Sequence, residues 1–229
     1  MLDIPHELLI SVLFVLITIV ISTLISIKAF RVYRQTNATQ TFVIGLASLF
    51  IVFAMIFLTM EKAFLELFFD PNLGLLFGTI AVIISGFAVL TFDIFAYEMA
   101  FPKKTKILAI LSAIPIAIYL FFWITEEKLV GLEITFPTGI TPTLQYFTLV
   151  PLFSIPIIVL FYVAMKIRKE DHTKSLRAAI LALGGFALAT AYTVEIMGLD
   201  VLITTIFRAL FPVAAIFFYW ALFVLKAKE

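Results

Sequence analysis

The sequence predicts an all-α integral membrane protein: a bundle of seven helices with its N-terminus outside the cell and its C-terminus inside. Three observations lead to this prediction. The chain of 229 residues is 63% apolar and 14% charged, whereas soluble domains have about 45–50% apolar and about 25% charged residues. Its apolar residues form seven runs of bilayer-spanning length. Its basic residues concentrate in alternate loops.

The seven runs follow one another with short connections, so we expect residues 1–229 to form a single transmembrane domain. The runs comprise residues 8–33, 42–69, 73–101, 107–125, 144–167, 176–197 and 201–225. The N-terminus carries neither a basic segment nor a small-residue cleavage site, so we expect the first run to be a retained helix and not a signal peptide.

Residues 126–143 form the one long connection. Alternating residues in the sequence LEITF, followed by a Pro-Thr-Gly turn, predict a short β-hairpin in this outer loop. Pro142 weakens the second strand, because proline cannot donate a ladder hydrogen bond. An irregular capping loop is the alternative.

The loop charges set the predicted orientation. One side of the predicted bundle carries 13 of the 16 basic residues: Lys28, Arg31, Arg34, Lys103, Lys104, Lys106, Lys166, Arg168, Lys169, Lys174, Arg177, Lys226 and Lys228. The positive-inside rule assigns these loops to the cytoplasm. An N-terminus outside and a C-terminus inside require an odd number of spans, which seven satisfies. We therefore expect a multi-pass protein of the cell membrane, with the lipid bilayer as its main partner.

Several classes of function are disfavoured. The chain has no cysteine, which excludes disulfides, thiolate metal sites and cysteine nucleophiles. His6 and His172 have no partners at metal-ligand spacing, and no catalytic motif is present. We expect no enzyme, no catalytic residue, no metal and no cofactor. The net charge is only +1, and the basic residues are spread over several loops. We therefore expect no nucleic-acid partner. The scarcity of Asn, Gln and Cys is typical of a thermophilic prokaryote, although short membrane loops explain it equally well.

Arg208 is the residue that points to a site. It is the one charge in the last apolar run, where a lone guanidinium costs about 2.5–3.5 kcal/mol on insertion scales. It should therefore face protein, water or a carboxylate. Pro212 lies one turn further on and leaves the carbonyl of Arg208 without its helical donor. The charge and the helix defect thus occur at the same level.

Residue counting predicts a polar pocket in the outer half of the bundle. At 1.5 Å per residue, Arg208 and Glu61 lie about 12–13 Å below the outer surface and Glu195 about 8 Å below it. Tyr192 shares the helix face of Glu195. We interpret these four residues as ligand-binding, because an Arg that is only partly compensated can hold a carboxylate or phosphate group. The alternatives for Arg208 are a buried salt bridge that only fixes packing, a side chain that snorkels to the interface, and a contact with another subunit. The alternative for Glu61 is an interfacial position beside Lys62.

Other residues suggest motion or proton uptake. Asp93 is a second intramembrane charge and a candidate for proton titration; the alternative is a hydrated acid or one paired with a loop lysine. Pro212 and Pro151 are candidate hinges, although prolines also produce ordinary kinks in membrane helices.

Two resemblances bear on function. Seven helices, an external N-terminus, short loops and an external hairpin resemble the architecture of microbial rhodopsins. That family attaches retinal to a lysine in the middle of its last helix. Here the lysines of that run are Lys226 and Lys228 at its inner end, and Arg208 cannot form the Schiff base. The resemblance therefore implies the architecture without the retinal.

The second resemblance is to the seven-helix sensory regions of prokaryotic histidine kinases. The segments KAFRVYR, which ends the first run, and QTFVIGLASLFIVFAMIFLTMEKAF, which forms most of the second, are similar to that family. This resemblance implies a sensory role. Residues 1–229 contain no output domain of that family, so we expect a separate signalling partner or a homo-oligomer.

The leading functional hypothesis is a receptor-like or sensory membrane protein that binds a small molecule or ion around Arg208. A second hypothesis is a small proton-coupled transporter, with Glu61, Arg208 and Asp93 as its coupling charges. A third is a structural or accessory membrane subunit without a ligand.

Overall fold

The structure, a computed structural model, describes residues 6–130, 140–196 and 201–225. Almost all of them are helical. The helices are α1 (His6–Thr36), α2 (Thr39–Glu66), α3 (Pro71–Ala100), α4 (Thr105–Val130), α5 (Ile140–Ile167), α6 (His172–Ile196), α7 (Val201–Arg208) and α8 (Leu210–Tyr219), followed by a π-helical segment, Trp220–Val224.

Contacts between helix ends define two ends of the bundle. At one end, Gln40 at the start of α2 donates to the carbonyl of Glu98 near the end of α3, 3.2 Å away. At the same end, Ser175 at the start of α6 donates to the carbonyl of Ala164 near the end of α5, 2.7 Å away. We call this the basic end. Arg208 and the last turns of α2 and α6 lie at the other end, which we call the Arg208 end.

The described residues confirm a helical bundle of membrane character. Five helical stretches are long and apolar enough to cross a bilayer: Leu9–Thr36, Thr39–Leu65, Pro71–Ala100, His172–Glu195 and Leu202–Val224. Two shorter apolar stretches, Thr105–Ile118 and Leu152–Ile167, lie in α4 and α5. The count of seven spans and the outward orientation of the N-terminus stay predictions.

The predicted β-hairpin is corrected in part. Residues 126–130 continue α4, and residues 140–143, assigned to the second strand, form the first turn of α5. Apolar residues at helical spacing from Ile140 onward extend α5 backward over the sequence ITPT, and Pro142 is tolerated in a first helical turn. The remainder of the predicted hairpin, residues 131–139, lies outside the described residues.

The outside of the bundle is more apolar than parts of its inside. On α1, Leu13, Leu16 and Val20 are exposed. The buried face of the same helix instead carries hydroxyl groups, at Ser11, Thr18, Ser22 and Ser26. Water would not stabilise such an exposed face, but acyl chains would, and small polar residues let membrane helices approach closely. This inverted pattern supports a bilayer environment.

The largest cluster of buried apolar residues joins α1, α2, α3, α5, α6 and α8. Glycines on α6 make this packing close. A Cβ atom at Gly184 would lie 3.0 Å from the Phe218 ring, and one at Gly185 would lie 3.1 Å from the Phe92 ring. Phe92 and Phe218 are themselves in edge contact, with ring centroids 5.3 Å apart. The two rings therefore fit against α6 because Gly184 and Gly185 have no side chains.

The last run is a broken helix. α7 ends at Arg208, and the amide of Ala209 bonds to the carbonyl of Ile206, 3.2 Å away, in a tighter turn than an α-helix makes. The break lies one turn before Pro212, where the missing amide is expected to weaken the helix.

At the basic end, the Lys28 ammonium lies over the rings of Tyr219 and Phe223, at 5.1 and 4.8 Å from their centroids.

Replacement of Gly184 by alanine tests the close packing of α6. The added methyl group must displace the Phe218 ring, so we expect the free energy of unfolding to fall by about 1–3 kcal/mol, as for other overpacked sites. Thermal unfolding in detergent measures the change. The neighbouring Leu183→Ala, on an exposed position, is the matched control and should cost less. Equal losses for the two variants would contradict the packing described.

Candidate functional site

Arg208 is held by a carboxylate of the neighbouring helix. Its Nε donates to Oε2 of Glu195 at 2.7 Å, and its Nη2 donates to Oε1 of Glu195 at 2.5 Å. Two parallel hydrogen bonds between a guanidinium and a carboxylate form the strongest common ion-pair geometry. Arg208 is only 6% exposed, so water contributes little to its solvation. The pair ties the end of α6 to the end of α7.

Two further side chains complete the cluster. The ammonium of Lys62 on α2 lies 2.7 Å from Oε1 of Glu195, so that one carboxylate oxygen accepts from two cations. The remaining terminal nitrogen of Arg208, Nη1, donates to the hydroxyl of Ser11 on α1. We call Ser11, Lys62, Glu195 and Arg208 the Arg208 cluster. It joins four helices at one level: α1, α2, α6 and α7.

The sequence around Arg208 explains why its side chain turns inward. Thr204 and Thr205, four and three residues before Arg208, are buried, whereas Leu202, Ile203 and Ile206 are exposed. α7 therefore has one polar, inward face and one apolar, outward face. The break at Ala209 confines this amphipathic turn to the Arg208 end. Beyond it α8 is apolar throughout, with Phe211, Ala214 and Phe218 in the core.

A cavity of about 150 Å³ lies beside the Arg208 cluster, between α1, α2 and α7. Its charged lining residues are Lys62 and Arg208, and its hydroxyl-bearing ones are Ser11 and Thr59. The other lining residues are apolar: Val12, Val15, Leu58, Ala63 and Leu67. A cavity needs only about 10–15 Å³ by the same measure to hold one water. This one has room for several waters or a small ligand.

Glu61 lies next to the Arg208 cluster but on another face of α2. A Cβ atom at Gly78 of α3 would lie 2.6 Å from Oε1 of Glu61. The carboxylate of Glu61 therefore packs against the bare backbone of α3 and does not line the cavity. The sequence placed Glu61 and Arg208 at a common depth, and the structure shows a bidentate partner of Arg208 on α6. Glu195 takes that role.

Tyr192 lies between the Arg208 cluster and the centre of the bundle. Its hydroxyl pairs with Ser85 of α3, and it is close enough to Glu195 and Glu61 to interact with both electrostatically. Its ring meets Phe153 of α5 edge-on, with centroids 5.2 Å apart. Tyr192 also lines a second, smaller cavity of about 50 Å³, which is mostly apolar and lies between α2, α3, α5, α6 and α8.

The remaining predicted residues lie elsewhere. Asp93 is fully buried in the half of α3 toward the basic end, away from the Arg208 cluster. Pro212 is buried in the first turn of α8, one turn past Arg208. Pro151 lies within α5. The structure thus brings together Arg208, Glu195 and Tyr192, with Glu61 adjacent, and leaves Asp93 apart.

Two members of the Arg208 cluster were not predicted as ligand-binding residues. Lys62 is adjacent to Glu61 near the end of α2, where both residues are compatible with an interfacial position. The sequence alone does not show which of two adjacent charges faces the inside of the bundle. Ser11 lies in an apolar run. It could have been found from the spacing of hydroxyls along α1, because Ser11, Thr18 and Ser22 recur at intervals of seven and four and share one face.

Within the described ranges, no group of three or more His, Asp or Glu side chains is arranged to hold a metal ion. A scan of family models and searches of curated proteins and of solved structures found no match for this chain. The chemistry of the site is therefore interpreted from its own geometry.

Removal of either partner of the buried ion pair should strongly destabilise the protein. Glu195→Gln leaves two cations without their carboxylate, and Arg208→Gln leaves the carboxylate with Lys62 alone. Loss of one member of a buried pair typically costs about 3–5 kcal/mol. We expect the double variant to be less destabilised than the sum of the single ones, as a double-mutant cycle of unfolding free energies would show.

The pair of Asp171 and Lys174 at the basic end is the matched control. The Lys174 amide donates to Asp171 at 2.9 Å, and this bond, together with the Lys174 ammonium, lowers the pKa of the Asp171 carboxyl. Asp171→Asn should cost far less than either substitution in the buried pair, because exposed pairs contribute little. Additive effects of Glu195→Gln and Arg208→Gln would argue against a coupled buried pair.

Proposed function

We propose that this chain is a receptor-like membrane protein that senses a small anion, such as a carboxylate or a phosphate, in the cavity beside the Arg208 cluster. One observation carries the proposal. Of the described residues that line this cavity, the charged ones are both cations, Lys62 and Arg208, and two hydroxyls stand beside them. Arginine, lysine and hydroxyl donors in a partly dry site are the groups that recognise carboxylates and phosphates.

Glu195 occupies the cations in the absence of a ligand. It accepts two hydrogen bonds from Arg208 and one ion pair from Lys62, much as the carboxylate of a ligand would. An anion that enters the cavity competes with Glu195 for these donors. Its binding shifts the protein toward a state in which α6, which carries Glu195, is less firmly tied to α7. A ligand can shift such an equilibrium only by its difference in affinity for the two states.

The broken last helix offers a route for this change. α7 is eight residues long and is separated from α8 by the turn at Ala209. We propose that α7 moves with Arg208 while α8 stays packed in the core, with Pro212 as the hinge. Pro151 is the corresponding hinge in α5. Hinges of this kind lie at the ends or interruptions of helices.

The proposed orientation places the cavity on the outside of the cell. The basic residues of the connections α1–α2, α3–α4 and α5–α6 lie at the basic end, and the positive-inside rule assigns that end to the cytoplasm. On this proposal all seven helical runs cross the bilayer. We further propose that the protein signals through a separate partner at the basic end, as the resemblance of the end of the first run and of the second run to sensory regions of histidine kinases would imply.

A second candidate is an accessory subunit in which the ion pair only fixes helix packing. The bidentate geometry of Arg208 and Glu195 favours it, because such a pair satisfies the guanidinium without any ligand. The two candidates differ in one respect. In an accessory subunit, Lys62 contributes only to the stability of the bundle. In an anion receptor, Lys62 also contributes to the affinity for the anion.

Thermal unfolding in a series of anions tests the proposal. Acetate, succinate and phosphate are exchanged for chloride at constant ionic strength, so that general screening stays fixed. We expect at least one anion to raise the unfolding midpoint of the wild type saturably. A ligand at about 100 times its Kd stabilises a protein by about 2.7 kcal/mol. Lys62→Gln should lose this increase, because it removes the more accessible of the two cations.

Lys174→Gln is the matched control, since it removes an exposed lysine at the opposite end of the bundle. It should keep the full response. An equal response of Lys62→Gln and the wild type would contradict the proposal, and so would the absence of any saturable response in the wild type. Either result would favour the packing pair.

A further inference from the structure

Asp93 forms a second polar centre, well separated from the Arg208 cluster. It is 0% exposed, and neither of its carboxyl oxygens has a hydrogen-bond partner among the described residues. Gly78, the α3 residue that Glu61 covers, precedes Asp93 by fifteen residues. The two positions are therefore about 22 Å apart along the helix. Asp93 takes no part in the proposed anion site.

The surroundings of Asp93 contain hydroxyls. Tyr97, one turn along α3, and Ser112 on α4 are both buried, and their oxygens lie 2.7 Å apart. Both side chains are close enough to Asp93 to interact with its carboxyl. This hydroxyl pair joins α3 to α4 directly beside the acid. Hydroxyls can donate to or accept from a carboxyl, but they cannot neutralise a carboxylate.

The charged and titratable groups on the surrounding helices lie toward the ends of the bundle. On α4, Lys106 is exposed in the first turn. On α5, Lys166 lies over the ring of Tyr162, which itself stacks on Phe101 at the end of α3. On α2, Glu61 and Lys62 are near the Arg208 end, and on α3 itself Glu98 lies beyond Tyr97.

We propose that Asp93, together with Ser112 and Tyr97, is a proton-binding site. The carboxyl is neutral while α3 and α4 are packed as in this structure, and it ionises only when their contact opens. An isolated carboxylate in an apolar interior is so unfavourable that such a group keeps its proton instead. On opening, the O–H bond of the carboxyl breaks, the proton passes to water, and the carboxylate is hydrated. Protonation therefore favours the packed arrangement of these two helices.

Infrared spectroscopy at neutral pH tests the protonation state directly. The wild type should show the carbonyl stretch of a protonated carboxylic acid, and Asp93→Asn should lack it. Asp171→Asn, which removes an acid at the start of α6, should retain it. Ser112→Ala should shift the band, because it removes a hydroxyl that is close enough to the carboxyl to interact with it. A band unchanged by Asp93→Asn would overturn the proposal.

The dependence of stability on pH provides a second test. A proton bound more tightly by the folded than by the unfolded protein stabilises it less as the pH rises. Above about pH 4, where an exposed aspartate ionises, the wild type should lose stability relative to Asp93→Asn, whose amide resembles the neutral acid. Parallel pH profiles for the two proteins would overturn the proposal.

Two further results are decisive. If sodium chloride, but not choline chloride, removes the infrared band of the wild type, the site takes a metal cation in place of a proton and the proposal fails. If Asp93→Asn does not fold, wild-type protein labelled with ¹³C at the aspartate carboxyl replaces it. The band must then shift with the label, and an unshifted band would contradict the assignment to an aspartate.

Discussion

The burial of Arg208 is the constraint on which the Arg208 end of the bundle depends. A guanidinium that is almost fully buried is stabilised by a carboxylate at close range, and Glu195 provides it through two hydrogen bonds. This requirement fixes α6 against α7. Because Oε1 of Glu195 also accepts from Lys62, it fixes α2 as well. The cavity beside Lys62 and Arg208 is a consequence of this arrangement, and the proposed anion site follows from the cavity.

The same reasoning separates the two polar centres of the bundle. At the Arg208 end, opposite charges compensate one another, and we propose that another anion can replace Glu195 there. At Asp93 the described part of the chain places no cation close by, so the protonated, neutral acid has the lower free energy. One centre is thus suited to an anion and the other to a proton. The first centre joins α1, α2, α6 and α7, whereas the second joins the consecutive helices α3 and α4. On the two proposals, a bound anion or a bound proton changes the packing of these helices.

The sequence predicted the helical membrane bundle, because the length of an apolar run is a local property. It also indicated Arg208, Glu195 and Tyr192, since depth along a helix can be counted from its ends. The sequence could not show which of these side chains form ion pairs with one another. Glu61 and Arg208 share a predicted depth, but the rotation of α2 about its axis directs Lys62 toward Glu195 and Glu61 toward Gly78. Rotation depends on packing against neighbouring helices, which a single sequence does not reveal. The hairpin prediction was wrong over residues 140–143 because period-two alternation and a first helical turn cannot be separated over so few residues.

The most direct measurement of the central claim is anomalous diffraction from crystals grown in arsenate, which has the shape and charge of phosphate. The account predicts an anomalous peak in the cavity lined by Lys62 and Arg208, with the carboxylate of Glu195 turned away from at least one of its two cations. Lys62→Gln crystals grown under the same conditions should lack the peak. A cavity without arsenate in the wild type, with Glu195 still bonded to both cations, would contradict an exchangeable site for such an anion and leave the ion pair a purely structural element.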